Sequence, residues 1–315
     1  MSSDTWIVTA YFNPCRYVTK RANFDLFADG LRLTTRNLLV IELALGGAAF
    51  ELGEVEHHVR VRANGVMWQR ERLVNLANTC LPPGCTKVAW VDCDLLFEDS
   101  EWLDKTSAAL DHHAVVQPFS RCLLLQRGVR ALSTSAEGVA QMWESAAAAF
   151  ARDPSLLRER TFRSHGHTGF GWAARRELLD ACGLYDACLT GSADHLMAHA
   201  FSGTLDSGCV PRILGAGAHA GHFTKWAAKA DCVVESRMGH VPGRVFHLWH
   251  GACADRRYHE RNQEFQTFEF DPIRHLRRDQ DGLWDWGDAP AAVRTWAMEM
   301  FASRNEDGAS EGTER

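Results

Sequence analysis

Short apolar runs separated by stretches of helical spacing constrain this chain more than any other feature. TWIVTAYF (5–12) and NLLVIELAL (37–45) read as buried strands, and HHVRVRA (57–63) as a weaker alternating one. KVAWV (87–91) reads as a strand that runs straight into two acids. Between them, TKRANFDLFADGLRL (19–33) places Phe24, Phe27 and Leu31 on one helical face. WQRERLVNLANTCL (68–81) keeps helical spacing up to Pro82-Pro83, through which a helix cannot continue. A further helix is predicted from about Trp102, and a short strand within HHAVVQPF (112–119). Strands alternating with helices predict an α/β fold, with a mostly parallel central sheet flanked by helices in one large domain. Ligands of such sheets bind beyond the carboxyl ends of the strands, and Asp92 and Asp94 stand at such an end.

The second half is patterned less clearly. GVAQMWESAAAAFARD (138–153) predicts a helix. TGFGWAARRELLDACGLYD (168–186) predicts a glycine-rich approach, a short strand through Trp172 and a helix stopped by Gly183, and SADHLMAHAF (192–201) a helix N-capped by Ser192. The glycine-rich GAGAHAGH (215–222) lacks the strand–GxxxxGK[ST]–helix context of a phosphate loop and reads as a flexible loop. The expected division is a main domain over 1–265, whose halves meet near 119/120, a C-terminal helical or loop extension over 266–302, and a disordered tail over 303–315.

Bulk properties narrow the function. A chain of 315 residues that is 46% hydrophobic and 23% charged has an ordinary soluble core. A formal charge of −6 gives no electrostatic case for bulk nucleic-acid binding, although Arg121, Arg127, Arg130, Arg158, Arg160 and Arg163 could line a local basic groove. No apolar run approaches the roughly 20 residues that span a bilayer, and the start MSSDTWIVTAYF lacks a signal peptide's pattern, so no membrane partner and a cytoplasmic location are expected. The ten cysteines include no CxxC pair and read as reduced, mostly buried thiols.

Alternate side chains of a strand point the same way, so Asp92 and Asp94 are expected to face one side together. Two carboxylates so placed repel unless a cation lies beside them. A divalent metal there could hold a ligand's phosphates, although an acid pair at a strand end can also simply cap the next helix. Late in the chain, VFHLWH supplies His247 and His250 around Trp249.

Taken together, the strand-end DxD, the run TGFGWAARRELLDACGLYDACLTGSADHLMAHAF and HLWHG resemble the GT-A class of nucleotide-sugar glycosyltransferases, specifically its inverting galactosyltransferase and chondroitin-polymerase members. The resemblance runs from YFNP to HLWHG and implies a nucleotide-binding half (1–119), an acceptor half (120–265), a UDP-sugar donor and a hydroxyl acceptor that is a glycan, a small molecule or a modified DNA base. It implies Mn²⁺, or Mg²⁺, on the donor diphosphate. Asp94 would bind the metal directly and Asp92 would face the ribose or bridge through water, with His250 as the first choice of further ligand and His247 the second. Imidazole plus carboxylate suits Mn²⁺ better than an all-oxygen site does. Asp194 matches the acid that deprotonates the acceptor hydroxyl, with His195 in reserve because relatives carry adjacent acids where this chain has Ala193 and His195. Trp172 matches an aromatic that walls the sugar pocket, Tyr11, Asn13 and Glu42 match the base and ribose region, and Arg72 and Asn75 match the helix facing the nucleotide. GAGAHAGH would lie near the acceptor. A phage-type enzyme acting on hydroxymethylated pyrimidines in DNA and a non-catalytic nucleotide-sugar-binding protein are the alternative readings.

Overall fold

The computed structural model describes residues 4–32, 34–130, 137–159 and 164–308. The first third lays down β1 (Thr5–Phe12), α1 (Val18–Arg32), β2 (Leu38–Leu45), β3 (His57–Ala63), α2 (Arg70–Asn78) and β4 (Lys87–Val91). Then follow β5 (Leu95–Phe97), α3 (Trp102–Ala109), β6 (Val115–Gln117), β7 (Arg121–Leu125), β8 (Val139–Glu144), α4 (Ala146–Arg152), β9 (Gly171–Arg175) and α5 (Arg176–Cys182). The remainder comprises α6 (Ala193–Phe201), α7 (Cys209–Leu214), α8 (Ala218–Val234), β10 (Met238–His240), β11 (Arg244–His247), α9 (Tyr258–Gln266), α10 (Pro272–His275), β12 (Leu276–Arg278), β13 (Trp284–Trp286) and α11 (Ala291–Ala302).

These form a single α/β domain around a seven-stranded sheet of order β10-β6-β9-β4-β1-β2-β3. All its neighbours pair in parallel except at β9, which runs antiparallel to both β4 and β6. The central strands β1, β2 and β4 are largely apolar and buried because both faces are covered. Trp6, Val8, Ile41, Trp90 and Trp172 pack on one face under α2, α5, α6 and α8. Ile7, Val40, Ala89, Val91 and Ala173 pack on the other under α1 and α3. A four-stranded sheet, β5-β11-β7-β8, and the β12–β13 hairpin complete the framework.

Four expectations need correction. The helix read over 138–153 begins only at Ala146, because residues 139–144 pair with β7 in an antiparallel register that sets Leu123 opposite Met142. Ser145 then opens α4, its hydroxyl accepting from Ala148 N at 3.2 Å. GAGAHAGH is not a loop: it runs into the first turn of the 17-residue α8, where His219 is buried against Tyr185 and Phe270. Ser192 precedes α6 but makes no side-chain cap, donating instead to Asn262 Oδ1 at 3.2 Å. The predicted tail is ordered as far as Gly308, with Arg304 and Glu306 buried, and residues 309–315 lie outside the described residues.

Trp172 also departs from expectation. It is fully buried, sits edge-on to Phe201 and donates its indole N–H to Thr168 O at 2.8 Å, so it can wall no sugar pocket. Replacing so large a buried ring by alanine should cost about 3–5 kcal/mol of stability, and Trp172→Phe clearly less. Urea unfolding of both variants measures this; near wild-type stability in Trp172→Ala would overturn the core assignment.

Candidate functional site

The site grows from the end of β4. The strand stops at Val91, and residues 92–94 turn instead of continuing it, so strand alternation no longer applies and the two acids diverge. Asp92 turns toward α2, its neighbour in space being Arg70, and Asp94 toward a pair of histidines. The apolar run after the acids explains the second contact. As β5 it leaves the large sheet and pairs antiparallel with β11, setting Leu95 opposite His247, and Leu248 N donates to Asp94 O at 2.9 Å. That pairing carries the late histidines to the DxD turn.

There, Asp94 Oδ2 lies 3.3 Å from His250 Nε2 and Oδ1 3.8 Å from His247 Nε2, with the two imidazole nitrogens 2.9 Å apart. Asp94 Oδ1 is buried without a hydrogen-bond partner among the described residues. Burial, with the Arg256 charge nearby, depresses His247 to about 3 and His250 to about 4, so both rings are neutral near pH 7. One carboxylate and two neutral imidazoles with converging ligand atoms fit a divalent metal, and the nitrogen share favours Mn²⁺ over Mg²⁺.

Behind His250 stands a carboxylate that the sequence reading missed. Glu306 Oε1 is 3.6 Å from His250 Nδ1, 3.0 Å from Arg256 and 2.7 Å from Arg304 Nε. Burial opposes its ionisation, but Lys20, Arg304 and His250 outweigh that and hold it well below the usual carboxylate range. The group nearest His250 Nδ1 is Arg256 Nη2 at 2.5 Å, so Glu306 steadies the ring chiefly through the guanidinium it anchors. The polar composition of 303–315 gave no signal of this role.

A second missed residue organises the acids. Buried Arg70, at the start of α2, contacts Asp92 Oδ1 through Nε at 2.6 Å, and Glu71 Oε1 and Asp194 Oδ1 through one terminal nitrogen at 3.1 Å each. Asp194 lies in the first turn of α6 with its side chain 16% exposed, so the Asp92 and Asp194 carboxylates share one cation. Gly169 borders that acid: a Cβ on it would stand 3.8 Å from Asp194 Oδ2, an ordinary contact distance. Phe170 stacks between His167 (4.0 Å between ring centroids) and His247 (4.4 Å), joining the glycine-rich approach to the metal side.

The other expected residues fall into two groups. Tyr11 and Asn13, at the carboxyl end of β1, line a cleft with Glu42 and Glu51; Tyr11 Oη donates to Glu51 Oε2 at 2.6 Å and Asn13 Nδ2 to the same oxygen at 2.9 Å. Glu51 is thus a further polar group of this cleft. Glu42 itself is buried, accepts from the backbone N–H groups of Glu51 and Leu52 and faces His58 at 3.1 Å, which makes it a brace for the loop. Arg72 and Asn75 are not at the cleft. Arg72 binds Gly282 O and Asp186, and Asn75 bonds both backbone groups of Leu184, because the helical turn points them at the C-terminal hairpin and the loop after α5. His195, the reserve base, is buried and faces His165 at 3.3 Å, on a different side of α6 from Asp194. Of the arginines considered for a basic groove, Arg127 lies over Trp249 and Arg158 pairs with Asp206, while 160 and 163 lie outside the described residues.

No protein-family model matches the chain, and no curated protein matches it in sequence. Solved structures share its outline. Drosophila β1,4-galactosyltransferase 7, as a mutant complexed with manganese, UDP-Gal and xylobiose, is 9% identical over 93% of this chain and 98% of that one, with a TM-score of 0.42. The catalytic domain of the same Drosophila enzyme with xylobiose gives 9% over the same shares and a TM-score of 0.39. The 4-diphosphocytidyl-2C-methyl-D-erythritol synthase of Anaerococcus prevotii gives 11% over 76% of this chain and 88% of that one, with a TM-score of 0.34. At these identities and scores the likeness is one of overall outline. Among the described residues no helix is long and apolar enough to cross a membrane.

Three acids around one guanidinium have a consequence for pH. Burial, with Asp194 nearby, raises Glu71 to about 7 despite Arg70. The folded protein therefore holds a proton there that the unfolded chain, with a carboxyl pKa of about 4.5, releases. Glu71 disfavours folding progressively as pH climbs from about 4.5 to about 7. Glu71→Gln mimics the protonated acid, so its stability relative to wild type should rise across that window in metal-free buffer. Paired chemical denaturation at several pH values tests this, and a flat or falling difference would remove the assignment.

Proposed function

We propose that this chain is a metal-dependent inverting glycosyltransferase that moves a hexosyl group from a UDP-sugar to a hydroxyl acceptor. The observation that supports it most is a convergence at the carboxyl ends of the parallel strands. There the Asp94–His247–His250 cluster, the Arg70-bound pair Asp92 and Asp194, and the cleft at the end of β1 lie at one end of the sheet.

In this reading Asp94, His247 and His250 hold Mn²⁺, or less favourably Mg²⁺, and when bound the ion supplies positive charge against the leaving diphosphate. Glu306 steadies the His250 ring from behind through Arg256. Tyr11 and Asn13 hold Glu51 at the nucleoside cleft, and Asp92 accepts from the donor ribose. Asp194, steadied through Oδ1 by Arg70, takes the acceptor's proton on Oδ2. Asp194 needs to accept the proton only as the hydroxyl turns acidic while its bond to the anomeric carbon forms. Since Arg70 also grips Asp92, the acceptor base and the donor-side acid keep a fixed relative position. The ten free cysteines accord with action in the cytoplasm. Transfer to hydroxymethylated DNA gains no support from the engaged Arg127 and Arg158, and a purely binding role is separated from this one by turnover.

Two experiments test the proposal. Asp94→Asn should abolish the Mn²⁺ dependence of UDP binding measured by calorimetry, and an unchanged dependence would sink the metal assignment. Asp194→Asn should lower the transfer rate by on the order of 10²–10⁴ with nearly unchanged UDP-sugar affinity. Transfer near the wild-type rate in that variant would remove Asp194 as the base.

A further inference from the structure

Away from the strand ends, four metal-ligating side chains meet in the interior. His165 precedes β9, His195 and His199 lie one turn apart on α6, and Cys209 opens α7. All four residues are buried, and their ligand atoms lie within 4.8 Å of one another.

The hydrogen bonds fix which nitrogens face inward. His165 Nε2 is 2.6 Å from Glu159 O, which can only accept, so Nε2 carries the proton and Nδ1 is a lone pair. That Nδ1 is 3.3 Å from His195 Nε2. For His199 the deduction runs through a chain. The Ser202 hydroxyl donates to Ala198 O at 2.8 Å, so Thr204 must donate to Ser202 at 2.8 Å, and His199 Nδ1 must donate to Thr204 at 2.8 Å. His199 Nε2 is therefore a lone pair, and it is buried with no hydrogen-bond partner among the described residues. Burial and mutual repulsion also keep His195 and His199 neutral.

The spacing matches one ion. Two nitrogens about 2.05 Å from a tetrahedral zinc stand about 3.3 Å apart, and a nitrogen and a thiolate sulfur about 3.6 Å. The observed separations are 3.3 Å for the His165–His195 nitrogens and 3.9 Å from Cys209 Sγ to His165 Nδ1, with the sulfur also 3.8 Å from the ring's Nε2. A hydrogen bond between two histidines alone would leave the buried His199 lone pair without purpose. We infer that His165, His195, His199 and Cys209 form a closed structural Zn²⁺ site, with the cysteine as thiolate and the Glu159 carbonyl and Thr204 hydroxyl orienting two of the imidazoles. It ties the segment before β9 to α6 and α7 and so anchors the helix whose first turn carries Asp194. The site stands apart from the Asp94 cluster and does not depend on the proposed transfer reaction.

The test uses the full chain, purified without added metal. Elemental analysis should find one tightly held zinc per chain, and X-ray absorption should show one sulfur and three nitrogen neighbours. Exchange for Co²⁺ should produce a thiolate-to-cobalt charge-transfer band that persists in Asp94→Asn and disappears in Cys209→Ser. Absence of sulfur from the wild-type zinc or cobalt shell overturns the site even if Cys209→Ser fails to fold. A charge-transfer band that survives in folded Cys209→Ser overturns it as well.

Discussion

One buried guanidinium, that of Arg70, sets the terms for the rest of the site. It lies where β4 ends and α6 begins, between carboxylates from α2, the DxD turn and α6. Removing the guanidinium would leave the three acids as uncompensated buried charge, which is far costlier than losing an exposed pair. The cluster therefore fixes how α2 and α6 sit against the strand ends, and it does so with an excess of acid that Arg70 alone does not neutralise. A site so built is selective for cations before any ligand arrives.

The second constraint is a strand that changes sheets. By leaving the seven-stranded sheet straight after the acids, the chain uses three residues, Leu95–Phe97, to bind β11 and fix His247 beside Asp94 by register. Slipping that pairing by one residue would turn His247 to the other face and separate it from the carboxylate. The metal cluster is thus specified by backbone hydrogen bonds as much as by side chains, and the stack of His167, Phe170 and His247 couples it to the loop that precedes β9.

Much of the framework was legible in the sequence because β1, β2 and β4 are apolar on both faces, a pattern that few other structures produce. The acids at the end of β4 and the late histidines were legible as residue types suited to a metal. What escaped was orientation. Arg70 and Arg72 sit two residues apart on one helix, about 200° around its axis, and only the direction in which α2 packs decides which meets the acids. Trp172 carries the same ambiguity on β9, where alternate positions enter opposite halves of the core. Residues 139–144 lost their helical reading to pairing with β7, a partner that local spacing does not reveal. Glu51 lies in a glycine- and alanine-rich loop and Glu306 in a polar segment, and neither composition signals a site.

The chain order of the metal cluster has its own consequence. Asp94 belongs to the first third of the sequence, His247 and His250 to the last third, and Glu306 comes later still, so the parts meet only through contacts of very long sequence separation. Such contacts close the largest loops and form late in folding. A half-folded chain has strands and a DxD turn but no cage, and it cannot capture a cation prematurely. An ion held by this cluster would then be a readout of completed folding, the last part of an already finished frame.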